Sequence, residues 1–141
     1  MPGPPHLRFY AAHRFVAWQP FGVLDDRLLD DIVDWILVIE KTSTPFNRFI
    51  DLSQLTTINV RIAHVFKIAE KRAEEFSGVV PVRTAIYCKE LLGFGIAKLY
   101  ESLMEGTLIK VRAFRDLSSA AEWLAVPSSV LTLDDEPASH V

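Results

Sequence analysis

Two periods of hydrophobicity run through this chain, one of two residues and one of three to four, and they trade places repeatedly. Residues 7–11 and 15–19 are short runs rich in aromatic and apolar side chains, joined by Ala12-His13-Arg14, a connection short enough for a hairpin. They predict two antiparallel strands, the second broken by Pro20-Phe21-Gly22. Over residues 25–41 the period changes: Leu28, Leu29, Ile32, Val33, Ile36 and Ile39 recur at helical spacing. Asp25 and Asp26 suit the start of that helix, where free amides and the macrodipole favour negative charge. Asp30, Asp31 and Asp34 leave it an acidic outer face, with Trp35 and Val38 at the edge of the apolar one.

A turn-rich loop over 41–45 leads into a strand over 46–53, carried by Phe46, Phe49, Ile50 and Leu52. The polar stretch 53–59 that follows reads as a turn with helix-cap chemistry. A second helix is predicted over 61–76, with Ile62, Val65, Phe66, Ala69, Ala73 and Phe76 on one stripe and mixed charge opposite, ended by Ser77-Gly78. Residues 79–88 predict a strand, with Pro81 near its start where a missing amide is tolerated. The third helix spans 91–105, with Leu92, Ile96, Leu99, Tyr100 and Leu103 as its core stripe and Gly106 closing it. In the last strand, 108–114, Lys110 and Arg112 alternate with Ile109, Val111 and Ala113, which suits an edge position. Asp116 can cap a final helix carrying Leu117, Ala120, Ala121 and Leu124, with Ser119 and Glu122 at capping-box spacing one register on. The order β-β-α-β-α-β-α-β-α implies an α/β fold, an open and mostly parallel sheet with right-handed crossovers. A parallel sheet would put the 53–59 stretch at the carboxyl end of a strand, where such sheets usually hold their sites.

Composition narrows this picture. A length of 141 residues, with no internal repeat, fits one domain over 1–141, its ends at 1–5 and 127–141 reading as loose termini. Half the residues are hydrophobic and 23% are charged, so the chain can bury a full core. A net charge of −3 gives no general attraction to nucleic acid or to an anionic membrane. No apolar run approaches the length of a membrane span, and the start of the chain has no signal core. The lone Cys88 cannot form an internal disulfide, which favours a reducing compartment; a cytoplasmic protein of bacterial style is expected.

Candidate chemistry is sparse. His6, His13, His64 and His140 are scattered, and none stands at metal-ligand spacing from another His or Cys, so no metal is expected. His64 reads as a surface residue beside the polar stretch. Cys88 reads as a small buried hydrophobe, without the base a catalytic thiol needs. Ser53 has no nucleophile-elbow context and reads as a turn hydroxyl, and Asp51 as a carboxylate taking amide bonds from that turn. Gly93-Phe94-Gly95 opens a helix after a strand, but two glycines are not a phosphate-binding fingerprint and more often allow close helix–sheet packing. No constellation argues for an enzyme, and no cofactor is implied.

The stretch Phe49-Ile50-Asp51-Leu52-Ser53-Gln54-Leu55, with its polar loop and helix, resembles the strand–loop–helix of STAS domains, the anti-sigma-factor-antagonist fold. Val111-Arg112-Ala113-Phe114-Arg115-Asp116, followed by Ala120, Ala121, Trp123 and Leu124, is closer to the small stand-alone STAS-like, or SpoIIAA-like, bacterial proteins, many without assigned function. Gly95-Ile96-Ala97-Lys98-Leu99-Tyr100 fits them too, and the likeness covers roughly residues 7–125 by element order. The resemblance implies a sheet of four or five strands with helices against it, and kinship with the CRAL-TRIO lipid-binding fold. Regulatory STAS domains carry a phosphorylated serine in Asp-Ser-Ser/Thr-Gly-Leu at the loop-to-helix junction. Here Asn59-Val60-Arg61-Ile62-Ala63 stands in that place, with Val60 at the phosphoacceptor and no glycine, so the phosphorylation switch does not carry over. Asn59 keeps the capping role without the charge.

Two functions are therefore expected in competition. One is a non-catalytic interaction or regulatory module that binds a protein partner or itself, using Ser53, Thr56, Thr57, Asn59, His64 and Phe94. The other is a small carrier holding an apolar ligand, a lipid or acyl group, between the third helix and the sheet.

Overall fold

The computed structural model describes residues 7–42 and 44–132. Five strands form the main sheet: β1 (Leu7–Tyr10), β2 (Phe15–Trp18), β4 (Asn47–Asp51), β6 (Val82–Tyr87) and β7 (Ile109–Phe114), in the order β1-β2-β4-β6-β7. The β1–β2 pair is antiparallel and the other three pairings are parallel, as the hairpin and crossovers require. Two further short strands, β3 (Gly22–Asp25) and β5 (Leu55–Asn59), pair in parallel as a separate ribbon. The helices are α1 (Asp26–Thr42), α2 (Ile62–Glu75), α3 (Leu91–Leu103) and α4 (Leu117–Leu124). The fold is thus the expected open mixed α/β sheet, with β7 at one edge.

Strand alternation divides the core into two sides. Phe15, Ala17, Phe49, Ala85 and Tyr87 face α4, while Trp18, Ile50 and Ile86 face α1, α2 and α3. Constant handedness explains the split: the sheet grows in one direction through three crossovers, so their helices share a face.

Several expectations need correction. Residues 55–59 are a strand rather than a turn: Thr56, Thr57 and Ile58 are β-branched, and Thr56 Oγ1 donates to Gly22 O at 3.1 Å across the ribbon. The α2 stripe is rotated, with Val65, Ile68, Ala69 and Arg72 buried and Ile62 and Phe66 exposed. Leu92 on α3 is also exposed, and Gly93 and Ala97 are the buried residues. The acidic outer face of α1 is as expected, with Asp30, Asp31 and Asp34 exposed, and Asp30 and Asp34 pair with His64 and Lys71 of α2. Neither Ser77-Gly78 nor Gly106 caps a helix: α2 is capped at Phe76 and α3 at Met104. Residues 128–131 form a 3-10 turn that seats Leu131, wholly buried, against the α4 side of the core, so the chain is not loose from 127. His6, His140, the expected loose start at 1–5 and the tail from 133 lie outside the described residues.

Candidate functional site

The residues singled out from sequence are not all exposed. Thr56, Thr57 and Asn59 are exposed on β5, and Ser53 is half-buried just before it. Asn59 does not cap α2; the cap position is Arg61, without a side-chain bond. His64 is buried rather than on the surface, its Nε2 lying 2.7 Å from Asp30 Oδ1 on α1. Phe94 is half-buried under the Arg115 guanidinium, 5.4 Å from the ring centre. Asp51 takes the expected amide bond from Ser53 at 2.8 Å, and a second bond from the buried Gln19 Nε2 at 2.7 Å. Cys88 is buried where β6 ends, and burial pushes its thiol pKa up, against a thiolate role. Among the described residues, no group of three or more His, Cys, Asp or Glu could hold a metal ion, and no helix is long and apolar enough to cross a membrane.

The lining residues that sequence reading did not single out lie between the sheet and the three-helix layer. There a cavity of about 130 Å³ opens in the core. Trp18, Ile50 and Ile86 line it from the sheet, Ile32, Val33 and Ile36 from α1, and Val65 and Ile68 from α2. Ile96 and Ala97 of α3 complete the apolar wall, which is where an apolar ligand was expected.

The wall is interrupted by Arg48, Arg72, Thr84 and Tyr100. Arg48 stands two residues before Ile50 on β4, and therefore on the same face. Arg72 continues the buried α2 stripe one turn beyond Ile68. Both guanidiniums converge on Glu40 of α1. Arg72 Nη1 donates to Glu40 Oε1 at 3.0 Å and Nη2 to Oε2 at 2.5 Å, a bidentate fork. Arg48 Nη2 lies 2.7 Å from the same Oε2, while its Nε donates to Phe46 O at 3.2 Å. The Arg48 guanidinium also covers the Phe46 ring at 4.4 Å. Side-chain exposure is 6% for Arg48, 5% for Arg72 and 3% for Glu40, so this is a desolvated cluster. It holds two cations and one anion.

Electrostatics within the cluster follow from that imbalance. Burial pulls the Arg48 guanidinium below its ordinary pKa, Glu40 opposes the fall, and Arg72 adds to it. Burial also acts downward on Arg72, but its bonds and charge contact with Glu40 outweigh it and leave the pKa raised. Tyr100 is pushed up by burial, against the pull of the two guanidiniums, so its phenol stays neutral and bonds to Arg72. Trp18 is 3% exposed, and its indole Nε1–H is buried with no acceptor among the described residues. What the arrangement can do is take up an apolar body and offer hydrogen-bond donors to it. It presents no nucleophile–base pair.

No family model matches the chain, and no curated protein does. Among solved structures, the chain is similar to an uncharacterized protein of the DUF3478 family with a SpoIIAA-like fold from Shewanella loihica PV-4, at 21% identity over 78% of this chain and 83% of that one, with a TM-score of 0.48.

Proposed function

We propose that this protein is a non-catalytic, STAS-like cytoplasmic module that carries a small apolar ligand between its helical layer and its sheet. The carrying observation is the cavity of about 130 Å³ bounded by α1, α2, α3 and the sheet. Native interiors are close-packed, with few voids larger than a water molecule. An engineered apolar cavity of about 150 Å³ takes up benzene. Native mass spectrometry of protein purified from cells, followed by titration of the emptied protein with a small apolar probe, tests the reading. A bound mass or saturable uptake is expected. A ligand-free mass together with no uptake removes it.

A second reading is favoured by a different observation. Leu91 is 74% exposed and Leu92 64%, at the start of α3, where β5 is seated through Ile58 against Gly93. Such apolar exposure suits contact with a protein partner or a second copy. On this reading, Leu91→Ser with Leu92→Ser, or Thr57→Ala with Asn59→Ala, would leave the fold intact and abolish self-association seen by analytical ultracentrifugation. A chain that is monomeric at every concentration before substitution removes the self-association form of it.

A further inference from the structure

We infer that the cavity is built for one carboxylate on a small apolar body, a medium-chain or monocyclic aromatic monoacid, with its headgroup on Arg48 and Arg72. This deepens the carrier reading and rests on it. The argument begins with charge. Two guanidiniums share one carboxylate, Glu40, and all three side chains are at most 6% exposed. Isolated buried charge is expensive, so the excess cation seeks a counter-ion. Both arginines line the cavity, whereas Glu40 is not among the residues that do. Tyr100 does not supply the missing anion, because its phenol is held neutral.

Donor chemistry gives the second, independent observation. Arginine and tryptophan side chains donate hydrogen bonds and accept none. Trp18 lines the cavity, and its Nε1–H is buried with no acceptor among the described residues, a state that costs free energy. The lining thus offers positive charge, while only Thr84 and Tyr100 add hydroxyls that work either way. A neutral hydrocarbon leaves those donors unused. An amine meets like charge. A dianion such as a phosphate monoester carries one charge more than the excess cation balances. A monocarboxylate matches both the sign and the count.

Size sets the rest of the molecule. A cavity of about 130 Å³ holds a body comparable to benzene or a folded chain of similar volume.

The test titrates the full chain with octanoate, 1-octanol and octylamine in parallel, reading affinity by calorimetry and the Trp18 indole N–H by NMR. Octanoate is expected to bind at least about tenfold more tightly than octanol, to exclude octylamine, and to move the Trp18 resonance. Arg48→Met leaves the Arg72–Glu40 fork as a neutral pair and should erase the preference while keeping octanol binding. If Arg48→Met does not fold, the unmodified chain with its three ligands decides alone. Octanol binding as tightly as octanoate overturns the headgroup and leaves the carrier standing. No uptake of any of the three overturns both.

Discussion

Gly93 marks how closely α3 sits on the sheet. A Cβ there would overlap Cys88 Sγ and stand 2.9 Å from Ile58 Cδ1. Gly93→Ala should therefore destabilise the protein by about 1–3 kcal/mol through overpacking, even though alanine is favoured over glycine in a helix by about 1 kcal/mol. In a Cys88→Ala background the sulfur contact is gone, so the double variant should lose less than the sum of the two singles in urea unfolding. Strict additivity would mean that the crowding is absorbed elsewhere. The Arg48–Glu40–Arg72 cluster makes a second contrast. Glu40→Gln leaves two guanidiniums buried without a full counter-charge and should cost about 3–5 kcal/mol. Arg48→Met removes the excess cation instead and should cost clearly less; equal losses would show that the imbalance is not felt. These charges were legible in part. Glu40 falls four residues after Ile36 and so lies on the apolar stripe read for the first helix, the signature of a buried charge, whereas Arg72 follows Ile68, off the stripe that the sequence predicted for the second helix. The fork joins residues 32 apart, a pairing that no local pattern reports.

At the scale of elements, the strands of the main sheet and the four helices announced themselves through period and length. The β3–β5 ribbon did not. Gly22-Val23-Leu24-Asp25 is too short to show alternation, and Leu55-Thr56-Thr57-Ile58-Asn59 mixes β-branched residues with the polar types that turns favour. Its partner strand decides the matter, and partners are set by tertiary structure rather than by local preference. Helix α4 is the opposite case, since its cap was readable from one residue. Asp116 Oδ1 accepts from Ser119 N at 2.8 Å, and Oδ2 from Ser119 Oγ at 3.0 Å. The bond from that backbone amide, then the one from the hydroxyl, hold the Asp116 carboxyl below its ordinary pKa. The sign follows: the folded state prefers the ionised form, so the cap stabilises in full above the ordinary carboxylate value of about 3.9. That contribution is lost as pH falls through the lower folded value. The gap in melting temperature between the natural chain and Asp116→Ala should be constant near neutrality and close in acid. A gap that persists at low pH would assign the loss to something other than the charged cap.

Over the whole molecule, one arrangement ties stability to the proposed ligand. The cavity is not a notch in a single element: α1, α2, α3 and the sheet each supply part of its wall. Along the α1–α2 seam, the pairs of Asp26, Asp30 and Asp34 involve at least one half-exposed or exposed partner. Such pairs contribute little in water. The helical layer is then held mainly by apolar contact around a space that contact does not fill, next to a buried charge cluster with one cation in excess. A monoacid in that space would touch every layer at once and supply the missing charge, and it would bind only where those layers meet. Binding to the folded state alone raises stability by about 2.7 kcal/mol at a free ligand concentration of 100 Kd. For a chain of this size that corresponds to a melting temperature higher by about 10 °C. Octanoate at such a level should therefore raise the melting temperature by roughly that amount relative to protein unfolded, washed free of ligand and refolded. The rise should be absent in a variant whose cavity is filled, such as Ala97→Leu, which adds bulk to a wall residue that is 2% exposed. Octanoate that raises the melting temperature of the filled variant equally would be acting at some other surface.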